Sequence, residues 1–252
     1  MVIMVIEISD FLSRVEASQY TIFTSKFHSS VTKTLKKFSG QIHRQDNNHY
    51  IATFNVVTDA VQCAQEIKHK FKYVTPKHKS FSRRLKIALR SAEILSDKEI
   101  SATIQLCEQV QDQVVITSKV KSLYEETNAH AEIDKDQIRT LKISEEQFIT
   151  DLMHYVTSNW NNPYLDVERL GEALKMTYSQ LHHRTTRLTG KTPNNFIKDY
   201  RLHKALVLLH NHHGSIAQIA KQSGFNSPTY FSECFLNKYG VRPSTYAQQH
   251  GL

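Results

Sequence analysis

No apolar run in this sequence approaches the ~18 residues that a membrane-crossing helix needs. The short apolar start, Met1–Ile6, has no basic stretch before it and no small-residue cleavage site, so no secretory signal is expected. Cysteine is scarce: Cys63, Cys107 and Cys234 lie far apart and form no C-x-x-C pair. That excludes a disulfide framework and a structural zinc knuckle, and it fits a reducing cytoplasm. The chain has only 7 glycines, most of them at the ends of helical stretches. It has no Gly-rich phosphate loop, no G-x-S-x-G and no H-E-x-x-H, which removes the common nucleotide-loop, hydrolase and zinc-protease chemistries. Hydrophobic residues make up 40% of the chain, enough to bury ordinary cores, so wholesale disorder is excluded. A length of 252 residues favours two modest domains over one large one.

The net charge of +8 hints at a polyanionic partner. The excess is spread along the chain: the tail from Glu145 holds 11 Lys/Arg and 8 Asp/Glu, the front 21 and 16. The densest piece, Lys68–Arg90, has nine Lys/Arg and no acid. It reads either as a solvated helix end and loop or as an auxiliary phosphate-contacting surface.

The front alternates elements. Met1–Ile8 is a β-branched run, and Tyr20–Phe38 is helical, with Phe23, Phe27, Val31 and Leu35 at a spacing of four. Gln41–Arg44 and Tyr50–Phe54 read as strands around the turn signal Asp46-Asn47-Asn48. Asp59–Phe71 and Ile100–Val110 read as helices, Leu85–Leu89 and Val114–Thr117 as strands. Such alternation predicts an α+β or α/β sandwich. Ile133–Gln147 is polar and places the domain junction. Beyond it the pattern is wholly helical, beginning with the stripe Phe148, Leu152, Val156, Trp160.

Helix ends in the tail are marked clearly. Thr177-x-x-Gln180 and Ser215-x-x-Gln218 are capping-box patterns. Thr192-Pro193 and Ser227-Pro228 put a cap before a proline that needs no N–H. Gly190, Gly214, Gly224 and Gly240 fall just past helical stretches. These marks predict helices over Asp166–Lys175, Thr177–Leu188, Thr192–His210, Ser215–Gln222 and Ser227–Tyr239. Two of the junctions are tight enough for helix-turn-helix units, with Thr192–His210 as a rod between them. Recognition helices about 34 Å apart would face successive major grooves.

The stretches Leu188–Leu202, Ser215–Ala220, Gly224–Phe231 and Phe235–Tyr246 carry motifs in an order that closely resembles the AraC/XylS family of bacterial transcription regulators. The resemblance covers roughly Phe148–Tyr246. It implies base contacts from Ser179, His182 and His183 with Arg184 nearby, and from Thr229 and Glu233 with Tyr230 and Asn237 near the backbone. Thr177, Tyr178 and Ser227 open the two recognition helices. Histidine can donate to guanine, glutamate can accept from cytosine N4, and threonine can pack on a thymine methyl. Each residue could equally be just part of an exposed helix face. Two departures stand out: Glu233 is acidic beside phosphates, and Thr185 replaces an apolar core residue, which predicts a looser first unit. His182 and His183 point apart on a helix and cannot share a metal easily. His210, His212 and His213 could cluster but lack further ligands, so no metal is expected.

The front resembles a worn class III adenylate/guanylate cyclase domain, through Ile3–Phe11, Gly40–Phe54, Asp59–Ala64, Leu85–Ile94, Ile104–Val110 and Val115–Ser118. That family holds two metal ions on two carboxylates and uses an asparagine, an arginine and a lysine. By position, Glu7 sits at the first carboxylate and Asn48 at the second. Gln105 and Gln109 fall at the asparagine and arginine, and Arg44 stands near the lysine. Removing one such electrostatic group costs ~10²–10³ in rate, so the domain is expected to be non-catalytic. Glu7 could instead be a strand-end carboxylate paired with a lysine.

The expectation is thus an α+β cyclase-like, ferredoxin-like domain over 1–132, a linker over 133–147, and an all-α double helix-turn-helix domain over 148–252. The chain is expected to be a cytoplasmic, non-enzymatic regulator of transcription bound to double-stranded DNA. It would be a homodimer through its front domain, with a possible small-molecule effector and no cofactor. The alternative is a nucleotide cyclase fused to a DNA-binding domain.

Overall fold

The computed structural model describes residues 1–9, 17–46, 49–74, 84–111, 113–129, 133–211 and 214–250. The chain divides into two compact units, Met1–Thr150 and Asp151–Leu252. Among the described residues no helix is long and apolar enough to cross a membrane.

The first unit is a six-stranded mixed sheet with helices. Its element order is β1 (Val2–Ser9), α1 (Ala17–Lys37), β2 (Gln41–Gln45), β3 (His49–Phe54), α2 (Val57–Val74), β4 (Arg84–Ser91), α3 (Asp97–Gln109), β5 (Val114–Thr117), α4 (Ser118–Thr127) and β6 (Arg139–Leu141). The sheet order is β2-β3-β1-β4-β5-β6. The first four strands pair antiparallel in the β1-α1-β2-β3-α2-β4 arrangement expected of a ferredoxin-like sheet, and β5 and β6 add in parallel.

Strand β1 is apolar at consecutive positions because both of its faces are covered. Val2, Met4 and Ile6 join the core with Phe27, Val31 and Leu35 of α1 and Ala60, Ala64 and Ile67 of α2. Ile3 and Val5 are buried on the opposite face. There α3 packs on β1 and β4, and the Cys107 thiol donates to the Val5 carbonyl at 3.6 Å. Edge strand β2 is exposed along its length and its register breaks at a bulge between Ile42 and Arg44. Charge and bulges of this kind discourage strand-to-strand aggregation.

Residues 133–147, expected above as a linker, fold into this unit. Ile138 and Leu141 are fully buried, and β6 pairs with β5. Glu145 is buried, accepting from the Lys142 N–H at 2.9 Å and facing Arg139 at 3.6 Å. Glu146 accepts from the Ser118 N–H and hydroxyl at the start of α4. The apolar residues here are too widely spaced to show a period, which is why the stretch reads as polar.

Four members of the basic stretch Lys68–Arg90 are tied into the first unit. Lys68 donates to the Gln137 carbonyl, Lys70 pairs with Glu66, Lys86 donates to the Glu108 carbonyl and Arg90 pairs with Glu99. Lys77, Lys79 and Arg83 lie outside the described residues.

Helix α5 (Ile143–Asn159) starts five residues before the predicted stripe. The second unit continues with α6 (Val167–Ala173), α7 (Tyr178–Thr189), α8 (Pro193–His210), α9 (Ile216–Gln222), α10 (Pro228–Tyr239) and α11 (Pro243–His250), and it is wholly helical. Both capping boxes form, and Asp166, Thr192 and Ser227 cap their helices as well. Each cap offers a side-chain oxygen to an otherwise orphan backbone N–H.

Candidate nucleic-acid interface

The second unit contains one design twice. A seven-residue helix (α6, α9) leads through a tight turn to a capped twelve-residue helix (α7, α10), which ends on a left-handed glycine. The caps Thr177 and Ser227, the glycines Gly190 and Gly240, and the prolines Pro193 and Pro243 each lie 50 residues apart. In the first turn Lys175 takes the left-handed conformation and the Met176 N–H donates to the Gly171 carbonyl at 2.9 Å. In the second turn Gly224 takes it, at φ 75°, and the Phe225 N–H donates to the Ala220 carbonyl at 3.0 Å.

Gly224 is further confined. A Cβ there would lie 2.8 Å from the Trp160 carbonyl and 2.9 Å from Arg201 Nε. Arg201 on α8 donates to the carbonyls of Trp160, Asn162 and Leu165 at 2.8, 2.7 and 3.2 Å. Burial lowers the pKa of this guanidinium, and the three carbonyls compensate its desolvation. The loop before α6, the rod α8 and the second turn therefore meet at one point.

On α7 the exposed residues are Tyr178, Ser179, Gln180, His183, Arg184 and Arg187, with Thr177 exposed at the cap and His182 partly so. Tyr178 and His182 stack at 6.0 Å. An open concavity of about 540 Å³ runs along this face, from Tyr178 and Ser179 to Thr186 and Arg187. On α10 the exposed residues are Pro228, Thr229, Tyr230, Glu233, Leu236 and Asn237, with Ser227 at the cap. The neighbouring Cys234 raises the pKa of the Tyr230 phenol. The predicted contact residues thus gather on two helix faces.

Arg187 escaped the sequence reading. The 50-residue offset aligns it with Asn237, so the repeat itself was the available signal. The same offset aligns Thr185 with Phe235, both fully buried. The Thr185 hydroxyl finds no hydrogen-bond partner among the described residues. The offset also exposes a charge asymmetry: His183 of α7 corresponds to Glu233 of α10.

The residues of the relic pocket are only partly brought together. Glu7 pairs in register with His49 of β3 and with Lys86 of β4. His49 lies 3.3 Å from Asp46 and 3.8 Å from Glu108, so acids and bases alternate around Glu7. Arg44 sits on the exposed edge strand, 3.8 Å from Asp46. Gln105 and Gln109 lie on α3, half-exposed, and Gln109 donates to Glu108 at 3.4 Å. Asn48 lies outside the described residues. His49, Lys86 and Glu108 were missed, because only the strand register brings them beside Glu7. Among the described residues no three His, Cys, Asp or Glu side chains could hold a metal ion; His212 and His213 fall outside that set.

A family described as a helix-turn-helix domain matches residues 170–249. Histidine kinase P4 of Formosa agariphila is 34% identical over 111 residues, 44% of this chain and 8% of that protein. The HTH-type transcriptional activator RhaS of Mannheimia succiniciproducens is 37% identical over 79 residues, 31% of this chain and 30% of that protein. The chain spans about a third or less of the length of these curated relatives. Among solved structures, the guanylyl cyclase Cya2 is 12% identical, with 49% of this chain and 77% of that one covered at a TM-score of 0.43. The tail carries a helix-turn-helix domain, as its motifs implied.

Proposed function

We propose that this chain, through its AraC-type domain, is a sequence-specific regulator of transcription that acts in the cytoplasm and reads double-stranded DNA with α7 and α10. The observation that carries this reading is the duplicated unit: two capped twelve-residue helices, each displayed by a short helix and a tight turn. A helix so presented can enter a major groove. His183 and Arg184 with Ser179 and His182 supply donors on one helix; Thr229 and Glu233 supply a methyl and an acceptor on the other. Thr177, Tyr178, Ser227, Tyr230 and Asn237 contact the backbone, where position rather than sequence is read.

The first unit is non-catalytic in this reading. Its sequence has amides, Gln105 and Gln109, where cyclases need the transition-state groups. Glu7 stands opposite Lys86 in the strand register. The unit serves to pair two copies or to sense a small molecule. Purified protein given ATP or GTP with Mn²⁺ should form no cyclic nucleotide; formation would instead favour a cyclase fused to a DNA-binding domain. A small molecule that binds only the folded state must raise the melting temperature, which separates a sensor from a scaffold.

The deciding experiment selects bound sequences from random duplexes with the full chain, then repeats it with His183→Ala and Glu233→Ala. Each substitution should relax base preference at a different position by ~1–3 kcal/mol. If both weaken all sequences equally, the two side chains touch phosphates and the assignment of base readers is wrong.

A further inference from the structure

One carboxylate in the second unit joins the ends of both recognition helices. Asp199 stands mid-way along α8. Lys191, just after the glycine that ends α7, places its ammonium 2.7 Å from Asp199 Oδ2. Lys238, in the last turn of α10, places its ammonium 3.3 Å from Oδ1 and donates to the Asp199 backbone carbonyl at 3.1 Å. Asp199 and Lys238 are each about a quarter exposed, so water screens their attraction only in part. Burial would raise the pKa of the Asp199 carboxyl, but the two lysines outweigh it and hold the group below its usual range.

The position on the rod matters. Leu202, Ala205, Leu206 and Leu209 of α8 belong to the core shared with α9, α10 and α11. Phe196 and Ile197 are buried outside that cluster, and α8 also touches α7. Asp199 therefore lies where the rod passes from one helix-turn-helix unit to the other. Each unit is held together by its own caps and core. What the two share is α8, the Arg201 junction at Gly224 and this three-membered ion cluster, of which only the cluster ties the ends of both recognition helices.

We infer that Asp199 is a positioning residue that fixes the register between the two DNA-reading helices, so that the protein discriminates the spacing of the two halves of its site. The inference rests on the reading that both helices enter DNA. Adding one base pair between the halves shifts one by ~3.4 Å along the axis and rotates it by roughly a tenth of a turn. A clamp at the ends of both helices resists that change. With the clamp cut, the rod can flex at its middle and follow the altered site.

The test uses the full chain and the duplex it selects from random sequence, along with versions that carry one added or one removed base pair between the two protected halves. Wild type should bind the altered duplexes about tenfold or more weakly. Asp199→Asn should keep its affinity for the selected duplex within about threefold and lose most of that discrimination. Lys191→Met and Lys238→Met, which each remove one arm and one positive charge, should loosen spacing in the same sense, read as the ratio of affinities for altered and selected duplexes so that a uniform loss of charge cancels. Unaltered fluorescence of Trp160 and an unaltered melting profile show that the variants remain folded. Equal weakening on all duplexes by Asp199→Asn would make the cluster merely structural and overturn the inference. Tighter binding to every duplex, with a steeper salt dependence, would show that Asp199 only masks two cations, and would overturn it equally. If wild type itself ignores spacing, the two-helix reading of DNA falls and the inference falls with it.

Discussion

Replacing Gly224 with alanine tests the meeting point of loop, rod and turn, and Gly240 provides an internal control. Both glycines have nearly the same backbone conformation, φ 75° and 77°. At Gly240 an added Cβ meets nothing within 4 Å. Gly240→Ala should therefore cost only the left-handed penalty, about 1–2 kcal/mol. At Gly224 the same penalty applies, and the Cβ also lies 2.8 Å from a backbone carbonyl and 2.9 Å from the Arg201 guanidinium. Arg201 can withdraw only by lengthening hydrogen bonds to carbonyls, and a hydrogen bond to a charged group contributes about 1.5–3 kcal/mol. Gly224→Ala should thus lose about 3–4 kcal/mol. The assay is urea unfolding followed by tryptophan fluorescence. Trp160 is the sole tryptophan and belongs to the second unit, so the signal isolates that unit from the first. Separate transitions for the two units would not blur the comparison. Equal losses for the two variants would refute the crowding argument, because the backbone term alone would then explain both.

Thr185→Val should stabilise the second unit by about 1 kcal/mol in the same assay, since it removes a buried hydroxyl without a partner and keeps the shape; a loss would mean that the hydroxyl is satisfied. Native-state thiol labelling should modify Cys234, which is partly exposed, well before Cys63 or Cys107, which are buried. Burial pushes the Cys63 thiol up to about 12 and the Cys107 thiol well above its usual value. Fast labelling of all three would contradict the packing of the first unit. The His28 pKa is lowered by burial, and its Nδ1 lies 2.5 Å from the Tyr50 hydroxyl. A histidine held neutral in the folded state contributes stability above its unfolded pKa of about 6.5 and loses it as pH falls toward the lower folded value. The stability of the first unit, followed by urea unfolding and far-UV circular dichroism, should therefore fall below about pH 6.5, and a His28→Gln variant should flatten that dependence.

The second unit was legible because its signals are local. A capping box, a proline at the first helical position and a left-handed glycine each mark a boundary within four residues, and the four predicted caps all form. Helix α11 went unread because only Tyr246 marks its buried face strongly. In the first unit the long elements were read, but α4 buries just Val120 and carries no visible stripe. Strand β6 has three residues, too few for a period of two to declare itself. The surroundings of Glu7 were beyond reach for another reason. Lys86 stands opposite it through a register that joins residues far apart in the chain, and nothing local encodes that pairing. The base-reading faces could be placed by motif, yet the Asp199 cluster and the Arg201 carbonyl cradle depend on how α8 packs.

The central place of β1 has a consequence for folding. This strand precedes both of its neighbours in the chain: its partners in β3 run from His49 to Phe54, and those in β4 from Arg84 to Ser91. During synthesis an apolar strand, Val2–Ile6, must therefore wait through some forty residues before one edge is covered and about eighty before both are. Such a segment, rich in β-branched residues and free of charge, is the kind that pairs with foreign strands. The helical unit behind it, built from near neighbours, closes quickly once made. The slow and vulnerable phase of this protein's life belongs to its first strand, and a chaperone that shields extended apolar chain would find its target there.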